Sequence, residues 1–305
     1  MSRTEEFEEL RPLLFSLAYR LLGSVAEAED AVQEAWLRYE TTPTQPQSPK
    51  AFLSAVVTRI SIDVLRSARV RRVQYVGEWL PEPLLTDPYE DPARSAELGD
   101  SVSMAALLLL ERLSPLERAV FVLREVFAYE FADVAAAVGR SEVACRQLLV
   151  RARRHMDSGR PRFEADRQAR DELAARFFDA FRHGDVEGLR EALAADVELV
   201  GDAGGKAPAL GRVVVGADKV ARLLASLFPG LDRVGATLEE CEVNGQPGGI
   251  LRDREGKVAF TFALDVLGGH VQTIRSIGNP DKLRHVGPVA DAWALQREFM
   301  KTRDQ

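Results

Sequence analysis

Apolar positions recur at intervals of three and four along the N-terminal quarter of the chain. This spacing is typical of amphipathic helices, and it predicts three of them over residues 5–72. Gly23 suits the end of the first helix, and the capping box from Ser24 to Glu27 suits the start of the second. We therefore predict an all-α first domain over residues 1–73.

Prolines interrupt the next segment, residues 74–100, at positions 81, 83, 88 and 92. Because proline lacks an amide proton and restricts the residue before it, this spacing excludes a continuous helix and favours an extended chain. The segment also carries seven acidic residues and a single base, Arg94. We interpret it as an acidic, proline-rich linker.

A second helical region follows at residues 101–160. Ser114 to Glu117 combines a capping box with proline at the first helical position, which is a strong helix start. A short helix then stops at Gly139, and a longer helix rich in arginine comes after it. This layout is typical of a helix-turn-helix, with apolar residues facing inward and the arginines left on the outer face.

From about residue 168 the apolar positions change from a helical to a strand-like period. Two helices come first, and then six segments with strand character, of which the fifth alternates like a half-buried strand. Helices followed by a curved antiparallel sheet predict an α+β domain over residues 168–290, with residues 291–305 as a C-terminal tail. The strand-like segments are Val197–Val200, Arg212–Val215, Ala236–Val243, Gly249–Arg252, Val258–Val266 and His270–Ile277.

Composition indicates the cellular compartment in which we expect the protein. The chain has 305 residues, of which 46% are hydrophobic, enough for more than one buried core. No stretch of about 18 uncharged apolar residues occurs and the N-terminus has no apolar signal core, so we expect a cytoplasmic protein without a membrane span. The two cysteines, Cys145 and Cys241, lie far apart, which argues against a disulfide framework or a structural zinc site.

Charge is unevenly distributed along the chain. The net charge of −7 argues against a bulk nucleic-acid binder. Residues 59–72 nevertheless hold five arginines against one acid, and residues 140–162 hold seven against two. A basic patch, an acidic tether and a second basic patch fit two separate nucleic-acid contacts, and they also fit ordinary solvated helix faces.

Three segments, in this order, resemble parts of the RNA polymerase sigma factors of the extracytoplasmic-function group. Glu29–Trp36 is similar to the acidic helix that holds the polymerase clamp, Phe52–Arg66 to the helix that melts and reads the minus-ten promoter element, and Ser114–Met156 to the domain that reads the minus-thirty-five element. The resemblance implies a promoter-specificity subunit with no catalytic residues, metal or cofactor, whose partners are core RNA polymerase and promoter DNA. Arg59 departs from the pattern, because most of the family has asparagine there.

Three further segments resemble a subgroup of this family with a fused SnoaL-like domain. They are Tyr75–Leu84 in the linker, and Asp202–Lys206 and Asn279–Leu283 in the last domain, where Ala203 replaces the usual glycine. The resemblance covers nearly the whole chain. It implies a multidomain fold, in which two all-α DNA- and polymerase-binding domains, the second a helix-turn-helix, precede an α+β cone of SnoaL-like type.

The resemblance assigns roles to individual residues. Arginine and glutamine on the recognition helix suit base edges in the major groove, and the flanking arginines suit phosphates. The polymerase-binding face comprises Glu27, Asp30, Gln33 and Glu34. The DNA-binding residues are Lys50, Arg59, Arg66, Arg69, Arg71, Arg72, Arg146, Gln147, Arg151 and Arg154. The regulatory interdomain set is Trp79, Leu80, Pro81, Glu82, Pro83, Leu84, Asp202, Gly204, Gly205, Lys206, Asn279, Pro280, Asp281, Lys282 and Leu283.

Apolar residues in the acidic linker predict a docking surface, because an extended tether gains nothing by exposing them. Trp79, Leu80 and Leu84 would bury apolar area against the last domain. Lys282 or Lys206 would then meet Glu82. We expect such docking to regulate the factor through the linker.

Two other classes of function remain open at this point. One is a ligand-sensing helix-turn-helix repressor that works without polymerase. The other is a SnoaL-type isomerase, which needs an acid or base and a polar group for an enolate. Its candidate residues are Asp202, Asp265, His183, His270 and His285. A small-molecule ligand of the last domain is also left open.

Overall fold

The computed structural model describes residues 2–72, 75–89, 91, 95–157 and 166–303. The chain divides into two compact units. The first unit contains residues 1–74 and 87–161, and the second contains residues 75–86 and 162–305. The first half of the predicted linker, residues 75–86, thus belongs to the same unit as the C-terminal domain.

The described part of the first unit is helical. Its core buries Leu14, Leu17 and Tyr39. Helix ends agree with the sequence signals: Ser24 accepts a hydrogen bond from the Glu27 amide at 3.1 Å. The helices are α1 (Arg3–Leu22), α2 (Val25–Thr41), α3 (Pro49–Arg72), α4 (Ser95–Val102), α5 (Met104–Glu111), α6 (Pro115–Phe121), α7 (Phe131–Val138) and α8 (Glu142–Asp157), with a π-helical turn at Val122–Val126.

The two predicted helical domains pack together within this first unit. Arg118 of α6 is buried and donates to the carbonyls of Leu21 at the end of α1 and Leu110 of α5, both at 2.7 Å. Arg20 of α1 is also fully buried. Buried guanidinium groups that bond backbone carbonyls therefore join the helices of the two domains.

The second unit contains a six-stranded sheet with helices packed on it. The strand order is β2-β1-β6-β5-β4-β3. Its elements are α9 (Arg167–His183), α10 (Val186–Ala192), β1 (Leu193–Asp202), β2 (Val214–Val215), α11 (Ala217–Arg233), β3 (Thr237–Val243), β4 (Gln246–Arg252), β5 (Val258–Leu267), β6 (His270–Ile277), α12 (Pro280–Leu283) and α13 (Ala292–Arg303).

The predicted α+β architecture is confirmed, with three corrections. The expectation of a wholly antiparallel sheet is wrong, because β1 and β6 pair in parallel after a long crossover. Strand β5 is buried on both faces rather than one, since Ala259, Thr261 and Ala263 are buried as well as Val258 and Leu264. Helix α11 was not predicted, and helix α13 lies within the segment that we treated as a tail.

Candidate promoter and polymerase surfaces and the linker clamp

The acidic residues of α2 share its solvent side. Asp30 and Gln33 are exposed, and Glu27 and Glu34 are partly exposed. The opposite face buries Ala28, Val32 and Ala35 in the first unit. The helix is therefore held by its apolar stripe, and on its solvent side Glu34 forms an ion pair with Arg38 at 2.8 Å.

Two of the predicted DNA-binding residues of α3, Arg59 and Lys50, contact the second helical domain. Arg59 donates to the carbonyls of Ala136 and Ala137 at 2.5 and 3.0 Å. These carbonyls lie in the last turn of α7, where a cation is favoured by the helix dipole. Lys50 lies with its ammonium 5.8 Å from the Tyr129 ring centroid.

A second polar contact joins α3 to the segment before α7. The hydroxyls of Ser54 and Tyr129 are 2.6 Å apart, and burial raises the pKa of Tyr129 to about 12. Arg66 pairs with Asp63 on its own helix. The side chains of Arg69, Arg71 and Arg72 lie outside the described residues.

Helix α8 has the orientation that the sequence predicts. Cys145, Leu149 and Ala152 are buried, whereas Arg146 and Gln147 are exposed. Burial raises the pKa of the Cys145 thiol, which agrees with a packed, neutral side chain. The predicted base-reading residues are thus on the solvent side of the helix.

Most arginines of α8 already have neighbours. The Arg146 guanidinium lies 4.1 Å from the centroid of the Phe131 ring and 3.1 Å from Glu142. Arg151 forms an ion pair with Glu117 at 2.9 Å. Arg154 is exposed. The contacts of Arg146 restrict its side chain to the outer face of the helix-turn-helix.

Asp202, at the end of β1, lies at the centre of a buried contact with the linker. Its Oδ2 accepts the Leu80 amide at 2.8 Å and the Lys282 ammonium at 2.7 Å, and its Oδ1 accepts the Tyr75 hydroxyl. Burial and the Asp202 carboxylate raise the pKa of Tyr75 well above its ordinary value, so the phenol stays a donor. We call Asp202, Asn244, Asn279, Lys282 and His285 the linker clamp.

Lys282 of α12 contacts the linker in two ways. Its ammonium donates to the Leu80 carbonyl as well as to Asp202. It also lies 4.2 Å from the Trp79 ring centroid and 4.9 Å from that of Tyr75, which is within cation–π range. Both polar groups of the Leu80 backbone are therefore bound by the clamp.

Asn279 and the loop after β1 complete this end of the clamp. The Asn279 amide donates to the Tyr75 hydroxyl at 2.7 Å. Gly204 adopts φ +55°, and a Cβ there would come within 2.9 Å of that same hydroxyl. Glycine is required at this position for both reasons, whereas Ala203 is buried without positive φ.

Asn244 and His285 hold the other end of the segment. The Leu84 amide donates to the Asn244 side chain at 3.0 Å, and the Asn244 amide donates to the Leu84 carbonyl at 2.7 Å. His285 lies 2.6 Å from the Pro83 carbonyl through Nε2. Sequence reasoning named His285 only as a candidate for an isomerase site and did not name Asn244, because the Asn244-Gly245 pair signals only a hairpin turn.

The predicted docking of apolar linker residues agrees with their burial, but the predicted lysine partner differs. Leu80 and Leu84 are 2% and 7% exposed, and Trp79 is half-buried. We expected Lys282 or Lys206 to meet Glu82. Lys282 instead forms its ion pair with Asp202, and Lys206 forms one with Asp281.

The candidate residues for an isomerase do not meet at one place. Asp202 binds the linker, and Asp265 forms a buried pair with Arg275 although burial raises its pKa. His183 and His270 are exposed, and each bonds a carbonyl of its own element or turn. His285 is hydrogen-bonded to the Pro83 carbonyl of the linker. These side chains therefore form no shared acid–base centre.

The described part of the chain contains neither a cluster of metal-binding side chains nor a helix that could span a membrane. Nowhere in the described ranges do three His, Cys, Asp or Glu side chains come together in a way that would hold a metal ion. Among the helices of that part of the chain, none combines the length and apolar character that a membrane span requires.

Comparisons with known proteins identify the family of the chain. The model of sigma-70 region 2 matches residues 7–71, and that of sigma-70 region 4 matches residues 103–156. The ECF RNA polymerase sigma factor SigJ of Mycobacterium tuberculosis is 41% identical over 289 residues, which cover 91% of this chain and 92% of SigJ. The crystal structure of SigJ matches with a TM-score of 0.72 and 37% identity, over 94% of this chain and 100% of that one. The probable ECF sigma factor SigI of the same species is 32% identical, over 90% of this chain and 92% of SigI.

Two promoter-recognition regions, followed by an α+β domain, define a transcription initiation factor. The chain belongs to the extracytoplasmic-function RNA polymerase sigma factors, and its C-terminal domain has the α+β architecture that the SnoaL-like resemblance implies. It binds core RNA polymerase and promoter DNA, directs transcription initiation, and is not an enzyme.

Proposed function

We propose that the SnoaL-like domain regulates this sigma factor by binding the linker. The observation that carries the proposal is the buried Asp202–Lys282 pair, which takes both the amide and the carbonyl of Leu80. A backbone whose polar groups are bound in this way is not available to another surface. The bound linker therefore restrains the factor, and release of residues 75–84 makes the linker available to core polymerase.

We further propose that separate helices of the first unit contact polymerase and the two promoter elements. The exposed carboxylates of α2 meet basic residues of polymerase, and α3 handles the minus-ten strand through Lys50, Arg59 and Arg66. On α8, Arg146 and Gln147 read bases of the minus-thirty-five element. Arg151 and Arg154 contact phosphates, which position the DNA without specifying its sequence.

Promoter-specific transcription is expected to depend on added core polymerase. Alone, the protein should bind duplex promoter DNA weakly, because its net charge is −7 and its basic patches are small. Electrophoretic mobility shifts with and without core enzyme measure this difference. Tight, sequence-specific duplex binding by the free protein would favour the repressor instead.

Replacing Arg146 with alanine is expected to weaken promoter recognition by about 1–3 kcal/mol and to relax the preference at one base pair. Arg154→Ala is the matched control, because Arg154 is exposed on the same helix and is assigned to phosphate. It should weaken all promoter variants alike. Binding of the reconstituted holoenzyme to a panel of single-base minus-thirty-five variants measures both. Equal losses across the panel for the two variants would show that Arg146 does not read a base.

A further inference from the structure

The SnoaL-like domain contains a partly open cavity of about 250 Å³. Protein interiors contain few voids larger than a water molecule, and an engineered 150 Å³ cavity lined by apolar side chains binds benzene. The present cavity is larger than that, and it approaches the lower end of natural ligand pockets. If volume per atom is taken from the benzene case, the cavity holds a molecule of roughly ten non-hydrogen atoms.

The walls of the cavity are apolar. They are formed by the sheet, by α11 and by α13, with large side chains such as Phe260, Phe262, Leu223 and Leu227. These four side chains are only partly buried although they lie inside the domain, which leaves apolar surface without a packing partner. A ligand that covered this surface would be stabilised by its burial.

The few polar groups of the wall exclude a charged occupant. Among the described lining side chains, only Asp202, Ser276 and Gln296 are polar. Asp202 already accepts the Leu80 amide and the Lys282 ammonium. An anionic ligand would therefore be buried beside a carboxylate without a cation of its own, which is strongly unfavourable.

Helix α13 closes one side of the cavity. Leu295 and Phe299 turn buried faces toward the domain, and Phe299 packs on Gly230, where a Cβ would come within 2.8 Å of the ring. The helix is fixed at one end by the Trp293 indole, which donates to the Lys206 carbonyl at 3.1 Å. Its outer side carries an ion pair between Glu298 and Arg254.

The cavity and the linker clamp share one structural element. Asp202 lines the cavity and binds the linker, and the loop from Ala203 to Lys206 carries the carbonyl that anchors α13. A ligand that orders the cavity wall also orders this loop. By linkage, the two binding events then favour each other by the same factor.

We infer that this cavity binds a small, uncharged, predominantly apolar molecule, and that its occupancy strengthens the hold of the clamp on the linker. The SnoaL-like domain is thereby a sensor of such molecules. The coupling rests on the proposed regulation through the linker, whereas the binding site itself does not.

The test uses the full-length protein and 1-fluoronaphthalene, an uncharged probe, observed by fluorine NMR. We expect saturable binding, at least tenfold weaker binding of 4-fluoro-1-naphthoate, and a tenfold or greater loss of probe affinity in Leu227→Trp, which fills the cavity. Ser226→Trp is the matched control, because Ser226 is the exposed neighbour on the same helix. Gly201→Val is a second filling variant, since a Cβ at Gly201 has only ordinary contacts with Leu210 at 3.7 Å.

The outcomes separate the site from its coupling. No saturable binding, or equal binding in the filled variants and in Ser226→Trp, would overturn the site. Probe affinity that drops severalfold in Lys282→Met supports the coupling, and unchanged affinity overturns it. If Lys282→Met leaves transcription unaltered while the probe still binds, the proposed regulation fails and the binding site stands.

Discussion

Replacing Lys282 with methionine is expected to release the linker from the SnoaL-like domain. The change removes one member of a buried pair, in which the Lys282 and Asp202 side chains are 8% and 0% exposed. Breaking such a pair costs about 3–5 kcal/mol, because the remaining charge stays buried without its partner. The cation–π contacts with Trp79 and Tyr75 are lost as well.

Hydrogen exchange of residues 79–85 measures the release. The Leu80 and Leu84 amides donate to clamp side chains, so their protection should fall by two orders of magnitude or more, for a loss of about 3 kcal/mol. Transcription from a cognate promoter should rise. Lys206→Met is the control: its lysine is 55% exposed in its pair with Asp281, and such pairs contribute about 0–1 kcal/mol. Retained protection at Leu80 in Lys282→Met would contradict the proposed clamp.

Replacing Arg20 with methionine is expected to destabilise the first unit by about 3–5 kcal/mol. Arg20 is fully buried and pairs with Asp87 at 2.8 Å. Its guanidinium also donates to the Leu98 carbonyl and to the Ser101 hydroxyl, both at 2.8 Å. Burial lowers the pKa of Arg20, and the neighbouring Asp87 carboxylate opposes that shift.

Urea unfolding followed by circular dichroism measures the loss in the transition of the helical unit. Arg11→Met is the matched control, since Arg11 lies on the same helix and its pair with Glu29 is about half exposed. That variant should lose less than about 1 kcal/mol. Equal urea midpoints for Arg20→Met and Arg11→Met would mean that burial of Arg20 contributes little to the stability of the first unit.

Local signals explain why most elements were predictable. The N-cap at Ser24, the capping box at Ser114 and the glycine at position 139 act within a few residues, and the helices begin and end beside them. Alternation likewise located β5. Helix α11 was missed because Pro229 and Gly230 lie within it, and its stability comes from tertiary burial of Val220, Ala221 and Leu224.

Long-range pairing explains what was not predictable. The parallel contact of β1 with β6 joins segments far apart in the chain, and no local pattern specifies it. The resemblance indicated the segments that begin at Asp202 and Asn279. It did not indicate which linker residue each of their side chains binds. Asn244 and His285 reach the linker through the fold alone. The roles assigned to individual DNA- and polymerase-contacting residues remain predictions.

The contact of Arg59 with the end of α7 has a consequence for affinity. Arg59, which we propose for the minus-ten strand, is bonded to the end of α7, so we expect these bonds to break before Arg59 contacts DNA. We call molecules in which they are broken open. The measured dissociation constant for promoter recognition is then the intrinsic constant divided by the fraction of open molecules. Each 1.4 kcal/mol of closure weakens the apparent affinity tenfold. We expect core polymerase to bind the open molecules preferentially and so to raise the affinity for promoters, because a partner that binds one state better shifts the population toward it.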